Sequence, residues 1–279
     1  MSPMTDHLLS PDARPVLVLL HGWPDTAALW ADTVGVLQRD HRCVCLNLPA
    51  YQPGDTLQPL SVDAMCDWLA AQVDAISPNA AVTLVLHDWG CFFGYEYAAR
   101  HRHRVARVVG VDVGDTNSGA YRRSVSASQG LQIMGYQLWL ALAWKLGPLW
   151  PALANGLTRR MARWVGWRSD LATVHWAMNY PYAMQWLGSL GGLRGVARVD
   201  QVLGPVLPTL FIYGRRKPFM FHSQRWVDTL NATPGCRAVG MDTGHWVMRE
   251  RPDEFNAQVR AWLDAQRPPA QTPSACATR

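Results

Sequence analysis

A chain of 279 residues, 49% of them apolar and 17% charged, has ample material for a buried core and suits one large domain or a core carrying an inserted subdomain. The formal charge of +5 is modest, and its densest cluster, His101-Arg102-His103-Arg104, falls where a helix is expected to end. Cations there complement the helix dipole, so the cluster reads as a solvated helix end; nothing else resembles a nucleic-acid-binding motif, and no nucleic-acid partner is expected.

The first residues, Met1 to His7, lack the charged-then-apolar pattern of a signal peptide. About fifteen residues precede the first apolar run, so any antiparallel hairpin ahead of it should be very short or missing. Short runs rich in Val, Ile and Leu then predict buried strands at Val16–Leu20, Cys43–Leu48, Val82–Leu86, Val108–Val113, Thr209–Tyr213 and Arg237–Met241. Amphipathic helices are predicted at Val62–Ile76, Phe92–Arg100, Ser223–Leu230 and Glu254–Ala265. This alternation argues for an α/β fold, a mostly parallel, doubly wound sheet with helices on both faces. The alternation breaks from about residue 116 to 203, where Trp, Leu, Met and Tyr recur at helical spacing without a convincing strand. We therefore expect a core over 14–115 and 204–265, a helical cap inserted over 116–203, and a disordered tail over 266–279.

Six cysteines occupy positions 43, 45, 66, 91, 236 and 276. Cys43 and Cys45 alternate along a predicted strand and point to opposite faces, and no second Cys/His pair has zinc-like spacing. They read as reduced, mostly buried thiols, with no metal and no cofactor expected. The longest apolar stretch, Leu138 to Trp144, is far short of a membrane span and ends at Lys145, Gly147 and Pro148. A cytoplasmic, soluble monomer or homodimer acting on a small apolar molecule is the expectation.

Three short segments stand out, each at the C-terminal end of a predicted strand: His21-Gly22-Trp23-Pro24-Asp25, His87-Asp88-Trp89-Gly90 and Gly244-His245-Trp246. Taken singly, each has an ordinary explanation. Gly-Trp-Pro after a strand is a turn, a lone Asp between strand and helix is a helix N-cap, and a lone His after a strand is a satisfied structural residue. Together, at the strand ends where open α/β sheets place their ligands, they point to a site. A strand turning sharply into a helix at Asp88 is the layout of a nucleophile elbow, with a carboxylate in the usual place of serine.

On these three segments the chain resembles the α/β-hydrolase fold superfamily, over about residues 14–265, and within it the Asp-nucleophile branch of epoxide hydrolases and haloalkane dehalogenases. The resemblance implies that Asp88 attacks carbon to form an ester, that His245 activates water to hydrolyse it, and that the backbone N–H groups of Trp23 and Trp89 form the oxyanion hole. Relatives usually carry an Asp shortly after the strand ending here at Tyr213-Gly214, where this chain has Lys217. Part of the family takes the acid from the end of the preceding strand instead. Asp112, 24 residues past Asp88, matches that pattern, with Asp115 and Asp242 as alternatives. A buried Asp there needs a partner such as His245.

The predicted cap bears on the substrate. Gly135-Tyr136-Gln137 lies where related epoxide hydrolases place a tyrosine that polarises the epoxide, and Asn179-Tyr180-Pro181-Tyr182 offers two candidates for a second. Two phenols aimed at one oxygen would act as general acids. His21 and Trp139 complete the expected substrate contacts. Trp23 after His-Gly fits epoxide hydrolases better than dehalogenases, and Cys91, Phe92 and Phe93 offer no cation for a haloacid carboxylate. The expected activity is epoxide opening. A dehalogenase using the same Asp88, His245 and Asp112 is the first alternative, and a non-catalytic small-molecule-binding homologue the second. Leu86 motivates the latter, because tight elbows prefer a small residue there, and Lys217 does too.

Overall fold

The computed structural model describes residues 14–52, 55, 61–167, 170–187 and 207–266. The end of the expected cap, 188–203, and the expected tail from 267 onward lie outside the described residues. Among the described residues six strands form one parallel sheet: β1 (Val16–Leu20), β2 (Arg42–Leu46), β3 (Val82–His87), β4 (Val105–Val111), β5 (Thr209–Gly214) and β6 (Arg237–Met241), in the order β2-β1-β3-β4-β5-β6. All six residues of β3 are buried, as a central parallel strand covered on both faces requires. The chain runs outward from β1 to β2, then crosses back to β3 and continues the other way. That reversal is the topological switch point, and it places the ends of β1 and β3 side by side.

Helices flank the sheet. Right-handed crossovers send α1 (Ala31–Leu37) to one face and α2 (Val62–Ile76) with α3 (Trp89–Arg100) to the other. The contacts agree: α1 packs with α10 (Pro252–Ala265), and α2 with α3. Helix α2 buries Val62, Met65, Cys66, Leu69 and Val73, one face at helical spacing. Its first turn is capped by Ser61, whose hydroxyl accepts the Ala64 N–H at 3.0 Å. Beyond β5, α8 (Gln224–Asn231) packs on β6.

Between β4 and β5 the described chain contains helices and no strand: α4 (Gly119–Ser124), α5 (Ala127–Leu146), α6 (Pro151–Trp164) and α7 (Tyr180–Leu187). Ser126 and Gln129 form a capping box that starts α5, and Pro151 opens α6 at its first turn. Helix α5 packs against both α6 and α7.

Two expectations shift. The basic cluster does follow α3, but Arg104 is clamped rather than solvated: it bonds the Asp74 carboxylate and the Ser77 carbonyl near the end of α2. Strand β4 stops at Val111, so Asp112 lies just past it, with φ 70°.

Leu86, the bulky residue before the turn at Asp88, is accommodated by a neighbour. It is fully buried, and its side chain fills the space over Gly94, where a Cβ would come within 2.5 Å of Leu86 Cδ2. Helix α3 thus supplies the small residue that the strand does not. The Gly94→Ala variant should lose roughly 1–3 kcal/mol of stability by overpacking. Leu86→Ala should recover part of that loss, so urea unfolding of the two single variants and the double variant should show clear non-additivity.

Candidate active site

Asp88 joins β3 to α3 with φ 51° and ψ −121°, left-handed backbone that costs about 1–3 kcal/mol in a non-glycine residue. It holds the N-cap position of α3, yet its side chain makes no capping hydrogen bond. The carboxylate turns instead toward the end of β1. There Oδ1 accepts the Trp23 N–H at 2.8 Å, and the adjacent Trp89 N–H also favours the charged carboxylate. Gly22 makes this approach possible, since a Cβ there would overlap the Asp88 carboxylate and the Trp89 nitrogen. Burial pushes the Asp88 pKa up, while His245 and the two N–H groups pull the other way.

Asp88 Oδ2 lies 3.6 Å from His245 Nε2. The opposite ring nitrogen, Nδ1, bonds directly to Asp112 Oδ2. Asp112 is fully buried, and its other oxygen, Oδ1, accepts the Gly214 N–H at 3.1 Å and bonds the Lys217 ammonium. Burial alone would raise the Asp112 pKa, but Lys217 and His245 outweigh it and hold the group below the usual carboxylate range. For His245, burial lowers the pKa, whereas Asp112 and Asp88 raise it and prevail, with Lys217 opposing them. Lys217 occupies the position where a carboxylate was expected. It is nearly buried, with Nζ 5.4 Å above the Phe221 ring.

A second buried layer braces this series. Trp246 Nε1 donates to Asp25 Oδ2 at 2.8 Å, and His87 Nε2 donates to the His245 carbonyl at 3.2 Å. His87 Nδ1 lies 3.9 Å from Asp25 Oδ2. Burial pushes the Asp25 carboxyl up to about 7, against the pull of Trp246. Sequence reasoning passed over both residues, although each was visible as a polar side chain beside a motif at a buried strand end. Asn179 was also missed: its Oδ1 accepts from the Trp23 indole at 2.8 Å, and its Nδ2 donates to Thr158 at 2.8 Å.

The inserted helices put two phenols over the elbow. The Tyr182 ring packs edge-on against Trp89 at 5.2 Å and Trp23 at 5.7 Å, and the Tyr136 ring lies 6.0 Å from that of Tyr182. Burial first, and then the nearby Asp88 charge, raise the pKa of both. The other expected contacts lie elsewhere. Tyr180 packs on Tyr51 and directs its hydroxyl to Met65 Sδ at 3.7 Å. Trp139 donates to the Leu157 carbonyl and ties α5 to α6. His21 is fully buried, and both its ring nitrogens are engaged, one with the Gly22 carbonyl and one accepting the Leu48 N–H. Burial lowers its pKa to about 4, so it is a neutral brace between two loops. Of the expected acids, Asp115 instead caps α8 through Ser223, and Asp242 is an exposed partner of Arg216.

The structure thus gathers Asp88, His245, Asp112, Trp23, Trp89, Tyr136 and Tyr182, and leaves Tyr180, Trp139 and His21 in supporting roles. Among known proteins, a family model described as the alpha/beta hydrolase fold matches residues 15–140. A cis-3-alkyl-4-alkyloxetan-2-one decarboxylase of Shewanella oneidensis is 21% identical, over 92% of this chain and 84% of that protein. A haloalkane dehalogenase of Sphingobium indicum is 24% identical, over 90% of this chain and 89% of its own. An epoxide hydrolase of Bacillus megaterium, solved with an inhibitor, superposes with a TM-score of 0.67 at 17% identity, over 90% of this chain and 93% of the other. The chain has the alpha/beta hydrolase fold, with haloalkane dehalogenases among its sequence relatives and epoxide hydrolases among its structural neighbours.

Proposed function

We propose that the protein is a hydrolase that opens epoxides through an ester on Asp88. The observation that carries this reading is the pair of phenols, Tyr136 and Tyr182, near a carboxylate that the Trp23 N–H holds beside an imidazole. Asp88 attacks a ring carbon, the C–O bond of the ring breaks, and the alkoxide takes a proton from a phenol. Neither phenol is acidic enough to be ionised beforehand, because burial and Asp88 both raise its pKa. Water then attacks the ester carbonyl and passes a proton to His245 Nε2. Asp112 holds the ring through Nδ1 and stabilises the cation that forms. The oxyanion at the ester carbon is met by the N–H groups of Trp23 and Trp89. On collapse the departing alkoxide takes the proton held by His245, the second proton of the water returns to the phenolate, and the diol leaves with Asp88 restored as a carboxylate. The inserted helices act as a cap over this chemistry.

A halide leaving group is the second reading, supported by the dehalogenase relatives. It needs indole N–H donors free to hold the ion. Here the Trp23 indole is committed to Asn179, and the Trp89 ring is packed edge-on against Tyr182. That favours the epoxide.

Replacing His245 with Gln should stop ester hydrolysis and leave an adduct of the substrate's mass on the intact protein. A panel of epoxides, alkyl halides and β-lactones, read by mass spectrometry with the adduct mapped to the peptide holding Asp88, tests the reading directly. No adduct from any of them, with the variant folded, rejects it; an adduct from halides alone assigns the second.

The phenols provide another check. Tyr182→Phe should lower the rate of ester formation from an epoxide by about 10²-fold or more, the scale of a lost general acid. Tyr180→Phe should leave that rate nearly unchanged, since among the described residues its hydroxyl bonds Met65, away from Asp88.

Lys217 sets the working pH. The charged and titratable groups around His245 are Asp88, Asp112, Lys217, His87 and Asp25. Among them, Lys217 opposes the rise that Asp112 and Asp88 impose on the imidazole pKa, and so favours the neutral form that accepts a proton from water. Lys217→Met should therefore raise the His245 pKa and move the acid limb of ester hydrolysis to higher pH. Single-turnover decay of the intermediate reports this cleanly, because Asp88 cannot titrate while esterified. An unmoved acid limb would contradict the assignment.

A further inference from the structure

Among the described residues, ten large apolar side chains are exposed, and nine of them lie between positions 131 and 187, on the helices inserted between β4 and β5. On α5, Leu131, Met134, Leu138 and Leu142 are exposed at helical spacing and form a line along one side of the helix. The exposed Lys145 continues that line. Tyr136 and the buried Leu140 and Ala143 occupy the opposite side, toward the elbow. The turn into α6 adds Leu149, 72% exposed, and Trp150, and α6 itself carries Leu153 and Trp164, the latter 68% exposed. A monomeric protein rarely leaves so many large apolar side chains exposed within one segment without a use for them.

Charge identifies the occupant. Residues 116–187 hold seven Lys and Arg against one acid, Asp170, whereas the rest of the chain holds 19 basic and 20 acidic residues. The excess positive charge of the protein thus belongs to this segment. Arg122, Arg123, Lys145, Arg160 and Arg163 are exposed, and Arg160 and Arg163 sit on α6 between Leu153 and Trp164. A symmetric pairing with a second copy would bring these cations against their own counterparts. An anionic bilayer instead offers hydrocarbon for the Leu residues, an interface suited to indoles, and phosphates for the guanidinium groups. No described helix is long and apolar enough to cross a membrane, so the arrangement is one that lies on the surface.

We propose that α5 and α6 dock this protein onto an anionic phospholipid surface, with Leu142, Leu149, Trp150 and Trp164 in the headgroup–acyl boundary and Lys145, Arg160 and Arg163 on the lipid phosphates. The proposal is independent of the reaction assigned to Asp88. Its test is flotation of the full chain with vesicles of phosphatidylcholine alone or mixed with phosphatidylglycerol. Two double variants remote from the elbow, Leu142→Asp with Trp150→Ser and Arg160→Gln with Arg163→Gln, complete it, with folding checked by circular dichroism and thermal midpoint. The wild type should float with the mixed vesicles and not with the neutral ones. The arginine variant should bind about tenfold to thirtyfold more weakly, and the apolar variant at least about tenfold more weakly. Absence of binding to mixed vesicles, equal binding to neutral ones, or binding unchanged in both variants overturns the proposal. So does a wild-type dimer in sedimentation velocity that Leu142→Asp dissociates, which would give the face to a second copy.

Discussion

The arrangement of the site depends on one buried carboxylate and the three donors around it. Asp112 lies beyond β4, Gly214 ends β5, Lys217 follows in the next loop and His245 comes after β6. A single carboxylate therefore gathers the ends of three successive strands. An unpaired charge at that depth would be strongly destabilising, but here both oxygens are occupied and two of the donors carry or can acquire charge. Removing Asp112 would free the imidazole, strand the Lys217 ammonium in a nearly buried position and loosen the loop after β5 together.

Lys217 is instructive because it looked like a loss. Read against relatives, a cation where an acid belongs suggests a dismantled site, and that is one motive for the alternative of a protein without turnover. In three dimensions the cation does not replace the acid. It pairs with the buried carboxylate at the end of β4, and its charge opposes the rise that Asp112 imposes on the His245 pKa. Leu86 follows the same logic at the elbow, where Gly94 on the facing helix takes the role of the missing small residue.

The parts that were legible in the sequence share a property: their signal is local. The strands showed as short apolar runs, and β1 and β6 match their expected bounds, as does α2. The strand-end motifs showed as polar residues abruptly ending those runs. What was hidden depends on side-chain direction across long separations. Tyr180 and Tyr182 are two residues apart, and only the geometry of α7 decides that one faces Trp89 and the other Met65. Asp25 and His87 were visible as letters, but their meeting near His245 requires β1, β3 and the loop after β6 to be assembled first. His21 showed the converse error. A histidine beside a motif invites a role in binding, and burial with both nitrogens engaged makes it part of the frame.

The bond from the Trp23 indole to Asn179, and from Asn179 to Thr158, spans two parts of the fold that usually answer to different demands. The same tryptophan carries the backbone N–H that holds Asp88. One residue is thus fastened at its tip to the inserted helices and at its backbone to the charged centre. A change in those helices that moves Asn179 would tug on the donor that steadies Asp88. The scaffold is then less modular than its layout suggests: the inserted helices and the turn after β1 are parts that evolution has to adjust together.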